Sequence, residues 1–195
     1  FTEVATPIVG EKKLYEISGH WQHYQEDMFK PIICDNENLI LRPMTCPHHV
    51  LIYKSKRRSY RELPIRLSEQ SPLFRYEKSG ALTGLKRVRS MLLTEDHLFV
   101  RKDQIISEFE HCYKMISEAL EMFNIQFDYV SLSLRDPNNK EKFYNDENMW
   151  LKAEEDLRKV LKKLKIKYVE KIGEAAFYGP KIDIQIKTVL GHEIT

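Results

Sequence analysis

FRYEKSGALTGLKRVR, residues 74–89, is the stretch that decides how the chain folds. Arg75 and Glu77 end one apolar strand, a loop with two glycines follows, and a second strand carries Arg87 and Arg89. A strand–loop–strand hairpin places the three arginines close together at the loop end of the two strands. Guanidinium groups stay charged and grip phosphate oxygens in a forked geometry. The stretch therefore indicates either a nucleotide-binding hairpin, with Glu77 at an adenine edge or restraining an arginine, or an exposed hairpin held by ion pairs.

Short apolar segments surround this hairpin and predict an α+β fold with a largely antiparallel sheet. The predicted strands are residues 39–42, 63–69, 72–77, 85–93, 125–134 with a bend near Val130, 166–170 and 181–189. The predicted helices begin at Pro47, span 102–123 until a stop at Asn124, and span 146–164 with Asp146 as the cap. The period of two places Arg87, Arg89 and Met91 on one face of the returning strand. Neither a GxGxxG nor a Walker loop supports a doubly wound sheet.

Composition is that of an ordinary globular protein of one domain, residues 1–195. Apolar residues make up 42% of the 195, charged residues 31%, and the net charge is only +2, which argues against a protein that coats polyanions. Three cysteines in no disulfide pattern favour a reducing, cytoplasmic setting. No apolar run is long enough for a membrane span.

Both ends read as cut, because the last residues form a strand, a turn at Gly191-His192 and the start of a partner strand, so we expect a fragment.

The roles of several polar residues stay open. Cys46, His48, His49 and His97 do not have metal-site spacing by themselves, and free cysteines and single histidines are usually structural. Glu95 and Asp96 follow the returning strand, where an acidic pair suits Mg²⁺, a substrate amine or a solvated strand end.

Two further segments admit two readings each. GEAAFYGPK, residues 173–181, is either a turn around buried aromatic rings or a pocket wall with the Tyr178 hydroxyl as a polar handle and Lys181 opening the next strand. The basic run Lys54–Arg61 around Tyr60 is either a solvated face or a nucleic-acid contact.

Taken together, several segments resemble the catalytic core of the threonyl-tRNA synthetases, a family of class II aminoacyl-tRNA synthetases. The similar segments run in order through the whole chain: FTEVATP, LYEISGHWQHYQEDMF, LRPMTCPHHV, SYRELPIRLSE, FRYEKSGALTGLKRVR, EDHLF and GEAAFYGPKIDI. The first is similar to the end of the first class-defining motif, with its proline at Pro7, and the hairpin is similar to the second motif. Many segments in order are far more specific than any one of them.

The resemblance implies a six- or seven-stranded antiparallel sheet flanked by helices, and a ligase that works in two steps. Threonine and ATP give threonyl-adenylate and pyrophosphate, and the threonyl group then passes to the terminal adenosine of tRNA(Thr). The implied partners are ATP, L-threonine, tRNA(Thr) and, for the full-length protein, a second copy in a homodimer. The third class motif is missing here, so we expect this fragment alone not to charge tRNA.

The resemblance also implies the roles of individual residues. Arg75 and Arg87 are similar to the catalytic arginines at the α-phosphate and the distal phosphates, and Glu77 and Met91 complete the implied ATP site. The implied amino-acid site consists of Met44, Glu95, Tyr178 and Lys181. Cys46 and His97 match two of the three ligands of the family's Zn²⁺, the third lies beyond Thr195, and Mg²⁺ is expected with ATP.

The chain departs from the family pattern at four positions. Met91 stands where an aromatic residue usually stacks on adenine, Leu93 replaces glutamine, Glu95 replaces aspartate, and His48 replaces glycine. The departures at Met91, Leu93 and Glu95 give weight to one alternative, a catalytically impaired synthetase-like protein that binds tRNA or a partner. Two further alternatives are another synthetase, such as the prolyl or seryl enzyme, and a free-standing basic RNA-binding module.

Overall fold

The computed structural model describes residues 1–195, which form two compact units, Phe1–Arg101 and Lys102–Thr195. The elements of the first unit are β1 (Thr2–Glu3), β2 (Val9–Glu11), α1 (Lys12–Ile17), α2 (His20–Tyr24), β3 (Ile32–Cys34), β4 (Glu37–Leu41), α3 (Cys46–Lys54), β5 (Ile65–Phe74) and β6 (Ser90–Phe99). Those of the second unit are α4 (Ile105–Met122), β7 (Phe127–Leu134), α5 (Glu147–Lys163), β8 (Tyr168–Ile172), β9 (Lys181–Lys187) and β10 (Glu193–Ile194). The single-domain organisation stays a prediction.

The strands pair mostly antiparallel, which confirms the α+β class. The first unit has the sheets β2-β4-β3 and β1-β5-β6, and the second unit has β10-β9-β7-β8. Only β1 with β5 and β7 with β8 are parallel, and α5 makes the crossover between the latter two. Each hydrogen-bonded sheet is thus smaller than the six or seven strands that the resemblance implies.

The hairpin of β5 and β6 differs from its predicted boundaries. The predicted strands 63–69 and 72–77 are one strand, since Pro72 stays in register with Leu92. The returning strand begins at Ser90 rather than at residue 85, because Thr83 and Arg87 pair with each other and close a turn of their own. The prediction that Arg87 and Arg89 share a strand face with Met91 is therefore wrong: both arginines precede β6.

The helices follow their apolar periodicity. In the second unit, Leu157 and Leu161 of α5 pack on Val130, Leu132 and Leu134 of β7. Helix α4 ends as predicted, with Asn124 in the left-handed conformation at φ 53°. The irregularity predicted near Val130 lies a little earlier, between Phe127 and Tyr129. The terminal turn is also confirmed, because Gly191 has φ 81° and β10 pairs with β9 beyond it.

Asp146 caps α5, as predicted, through a 2.9 Å hydrogen bond that its Oδ1 accepts from the Met149 amide. We expect Asp146→Ala to lower the free energy of unfolding by about 1 kcal/mol, because that amide loses its acceptor. Asp146→Ser keeps an acceptor oxygen and is the matched control. Urea denaturation of the two variants measures the difference, and equal midpoints would show that the cap contributes nothing.

Candidate functional site

The loop between β5 and β6 holds its arginines in two different ways. The hairpin continues past the strand ends, since the Arg75 amide donates to the Arg89 carbonyl over 3.0 Å. Beyond it, Thr83 and Arg87 exchange backbone hydrogen bonds of 3.2 and 3.3 Å around Gly84, whose φ of 48° favours glycine. The loop tip is thus a tight turn that carries Arg87, whereas Arg75 lies at the base of the hairpin.

The guanidinium group of Arg75 has two terminal nitrogens, which we call its fork, without a hydrogen-bond partner. Its Nε donates to the Pro43 carbonyl over 3.4 Å, and its two terminal nitrogens make no hydrogen bond or ion pair. The backbone contact orients the side chain and leaves the atoms that bind phosphate bidentately available. The α-phosphate role that the resemblance implies for Arg75 stays a prediction.

Arg87 and Arg89 are engaged within the loop. The Nε of Arg87 donates to a carboxylate oxygen of Glu77 over 2.8 Å, and the Nε of Arg89 donates to the Glu77 carbonyl over 2.9 Å. The Arg89 guanidinium also lies 5.5 Å from the centre of the Tyr76 ring. Glu77 therefore restrains Arg87, one of its two predicted roles, while the terminal nitrogens of Arg87 stay available for an anion.

One face of β6 carries three further predicted residues: Met91, Glu95 and His97. Met91, Leu93, Glu95 and His97 alternate with exposed Leu92, Thr94 and Asp96. Across the register, Leu73 faces Met91, Glu69 faces Glu95 and Leu67 faces His97. Adenine, amino-acid and metal candidates thus share one half-buried surface, as expected for a strand with a period of two.

Glu95 binds the segment that leads into α3. One of its oxygens, Oε2, accepts hydrogen bonds of 2.6 Å from the Thr45 amide and 2.5 Å from the Thr45 hydroxyl. The other oxygen makes no hydrogen bond, so it can accept one from an ammonium group. The contact also positions Cys46, the first residue of α3, beside this strand.

Cys46 lies in the combined field of Glu95 and Arg75. Burial and the Glu95 carboxylate raise the pKa of the Cys46 thiol to about 12, while its own backbone amide and Arg75 act in the opposite direction. Residues predicted for three roles, metal ligand, amine acceptor and phosphate contact, therefore lie within electrostatic reach of one another. Met44, two residues before Cys46, packs on the cluster of Tyr15, Met28 and Ile40.

His97 takes part in a buried polar series that sequence analysis did not identify. Its Nδ1 lies 2.8 Å from Nδ1 of His49, and Nε2 of His49 lies 3.0 Å from Oε2 of Glu69. The other oxygen of Glu69 accepts a 2.9 Å hydrogen bond from Arg42.

Burial and His49 lower the pKa of His97, while Glu95 and Asp96 oppose this effect. The available signal was Glu69 on the apolar face of β5, between Leu67 and Leu73, where a carboxylate needs buried partners.

His48 is separate from this series. Its ring is buried, and its Nε2 lies 2.9 Å from the Tyr15 hydroxyl. A Cβ on Gly10 would lie 3.4 Å from the same ring, so glycine leaves just enough room for His48. The histidine that departs from the family pattern is therefore accommodated as a packed core residue.

Tyr178 and Lys181 belong to the second unit. In the turn closed by Ala176 and Gly179, Phe177 is buried and packs edge-to-face on Tyr178, which is 57% exposed. Lys181 opens β9, and its Nζ lies 2.6 Å from the carboxylate of Asp183. The buried-aromatic reading of residues 173–181 holds for Phe177, whereas the pocket role of Tyr178 stays a prediction.

The donor set fits part of a zinc site. No group of three or more Cys, His, Asp or Glu side chains is arranged to hold a metal. Cys46 supplies a thiol, and Nε2 of His97 makes no hydrogen bond, so the two side chains offer the sulfur and imidazole nitrogen that zinc prefers. The zinc site that the resemblance implies stays a prediction.

The basic run after α3 is partly engaged in intramolecular contacts. Arg58 donates to the Tyr53 carbonyl over 2.9 Å, and the guanidinium of Arg61 lies 5.8 Å from the centre of the Tyr60 ring. Lys54, Lys56 and Arg57 are exposed. None of the helices has both the length and the apolar character needed to cross a membrane.

Comparison with curated proteins shows which sequences this chain resembles. The chain is 60% identical over all 195 residues to a threonine–tRNA ligase of Mycoplasmopsis pulmonis and 53% identical over the same length to one of Geobacillus kaustophilus. It covers 33% and 30% of those proteins, so it spans about a third of the length of its curated relatives.

Solved structures support the same fold. A crystal structure described as the RNA binding domain of threonyl-tRNA synthetase from Cryptosporidium parvum matches all of this chain over 47% of its own length, with a TM-score of 0.92 and 35% identity. A Giardia lamblia prolyl-tRNA synthetase matches 59% of this chain with a TM-score of 0.53 and 22% identity, over 24% of its own length, which is a likeness of fold alone. Residues 29–194 match the class II tRNA synthetase core domain of the G, H, P, S and T enzymes, and the chain therefore belongs to that family.

Proposed function

We propose that this chain is part of the catalytic core of a threonine–tRNA ligase. The observation that carries the proposal is that Arg75 and Glu95 hydrogen-bond to Pro43 and Thr45, in the short segment that leads into Cys46. The high identity to threonine–tRNA ligases over the whole chain supports threonine as the amino acid. ATP, tRNA(Thr), a homodimer and a cytoplasmic location are parts of the same proposal.

In the first step, a carboxylate oxygen of threonine attacks the α-phosphorus of ATP, and the bond to the pyrophosphate oxygen breaks. Arg75 binds the α-phosphate and stabilises the charge that develops on it. Arg87 binds the distal phosphates through the nitrogens that Glu77 does not engage, and Met91 packs on the adenine. In the second step, a hydroxyl of the terminal adenosine attacks the threonyl carbonyl and AMP leaves.

In the first unit, the free oxygen of Glu95 accepts a hydrogen bond from the threonine ammonium group, and Met44 lines the amino-acid pocket. The roles of Tyr178 and Lys181 in binding the amino acid rest on the resemblance to the family. Cys46 and His97 would hold zinc. When bound, that ion supplies coordination of an amine and an adjacent hydroxyl. Valine has the amine but lacks the hydroxyl. Mg²⁺ would bind with ATP. A site that requires the hydroxyl rejects an isostere without it.

The test is ATP–pyrophosphate exchange by the full-length protein that contains this chain. We expect exchange with threonine and none with proline or valine, together with stoichiometric zinc that is lost in Cys46→Ser and kept in Cys34→Ser. Cys34 is exposed and is the matched control. Exchange that prefers proline would replace threonine by another substrate of the class, and absence of exchange with every amino acid would favour a synthetase-like binding protein.

A further inference from the structure

Four side chains from separate segments form a continuous buried series, which we call the histidine relay: Arg42, Glu69, His49 and His97. Arg42 is 1% exposed, Glu69 3% and His49 0%, so water does not compete along most of the relay. Its successive contacts measure 2.9, 3.0 and 2.8 Å. The relay starts at an arginine whose charge is fixed and ends at a candidate metal ligand.

The direction of each hydrogen bond follows from its starting point. The Glu69 carboxylate accepts hydrogen bonds from the amide and hydroxyl of Thr6 and from Arg42, so its oxygens act as acceptors. Nε2 of His49, 3.0 Å from the same carboxylate, must therefore carry the hydrogen and donate it.

The charge of the relay decides what the second nitrogen of His49 does. Arg42 and the Glu69 carboxylate form an ion pair, so the relay needs no further charge on His49 to balance it. A neutral His49 with hydrogen on Nε2 has a lone pair on Nδ1. His97 must then donate its own Nδ1 hydrogen across the 2.8 Å contact, which leaves Nε2 of His97 with a lone pair.

We propose that His49 and Glu69 are positioning residues that hold His97 in the tautomer with hydrogen on Nδ1, so that its Nε2 faces a zinc ion as a ready ligand. The proposal rests on the zinc site of the proposed function. It adds the reason why a buried carboxylate and a second histidine accompany the candidate ligand: outer partners of a metal-bound histidine fix its ring and its tautomer.

Two substitutions at one position separate hydrogen bonding from packing. His49→Leu fills the space without an acceptor, whereas His49→Asn places an amide oxygen near the position of Nδ1. In the full-length protein we expect His49→Leu to weaken zinc binding about 10- to 100-fold, and His49→Asn to restore most of the affinity. Competition with a chromophoric chelator measures the affinity without reference to activity.

His48→Ala is the matched control, because His48 is the adjacent buried histidine and its hydrogen bond goes to Tyr15 instead. We expect its zinc affinity to equal that of the unsubstituted protein. Equal losses in His49→Leu and His49→Asn would overturn the relay while leaving the zinc site in place. Failure of the unsubstituted protein to bind zinc would instead refute the metal site of the proposed function.

The tautomer itself can be observed without any change in the relay. In metal-free protein labelled with ¹⁵N-histidine, the His97 signals are assigned by their absence in His97→Ala. We expect Nδ1 to carry the hydrogen and Nε2 to have the shift of an unprotonated nitrogen. Hydrogen on Nε2 would disprove the proposal even if the position-49 variants do not fold.

Discussion

Replacing Arg75 by alanine is expected to lower threonine-dependent ATP–pyrophosphate exchange by the full-length protein about 10²- to 10³-fold, the usual effect of removing one fixed donor from a developing charge. The reason lies in how the side chain is held. Its Nε is anchored on the Pro43 carbonyl and its two terminal nitrogens have no other partner, so little reorganisation is needed before it binds an α-phosphate. The loss should fall mainly on the exchange rate constant rather than on the KM for threonine, because the charge on the α-phosphate grows in the transition state.

Two further variants serve as controls for Arg75→Ala. Lys86→Ala removes an exposed charge of the same loop and should leave exchange unchanged. Arg75→Lys keeps the charge without the fork and should recover only part of the rate. A loss in Arg75→Ala no larger than in Lys86→Ala would show that Arg75 does not contact the reacting phosphate.

The sequence predicted the elements better than the contacts between them. Helices α4 and α5 follow from apolar residues at three- and four-residue steps, and the cap at Asp146 follows from local chemistry. The position of Arg75 at the end of an apolar strand also follows from a short-range pattern. These features depend on neighbours in the chain, which the sequence displays directly.

The histidine relay depends on tertiary structure and was not predictable in that way. His49 and His97 are 48 positions apart, and only the docking of α3 against β6 brings their rings together. The predicted start of the returning strand was wrong for a related reason. The turn between Thr83 and Arg87 competes with extension of the strand, and periodicity alone does not decide between the two.

The largest effect on stability is expected at the buried end of the relay. Arg42 donates to Glu69 over 2.9 Å, to the hydroxyl and carbonyl of Thr6 over 2.7 and 3.0 Å, and to the Pro72 carbonyl over 3.1 Å. Arg42→Met removes these donors and leaves the Glu69 carboxylate buried without its cation. We expect the free energy of unfolding to fall by about 3–5 kcal/mol, the usual cost of breaking a buried ion pair from one side.

An exposed ion pair of the same kind is the control. Arg158 and Glu170 lie 2.7 Å apart, but their side chains are 38% and 40% exposed. Arg158→Met should cost no more than about 1 kcal/mol, because water replaces the lost contact. Chemical denaturation of both variants gives the comparison, and equal losses would show that burial of Arg42 adds nothing to its contribution.

The same buried network predicts how stability changes in acid. Burial by itself would raise the pKa of Glu69, but hydrogen bonds from Thr6, His49 and Arg42 outweigh it and lower the pKa from 4.5 to about 2. Because the pKa is lower in the folded state, the stabilisation is complete above about pH 4.5 and is lost as the pH falls toward 2. Glu69→Gln has no such titration, so its unfolding free energy should fall less steeply over this range than that of the unsubstituted protein. Parallel slopes in urea titrations between pH 5 and 2 would mean that the pKa of Glu69 is the same in the folded and unfolded states, and that its buried hydrogen bonds contribute no pH-dependent stability.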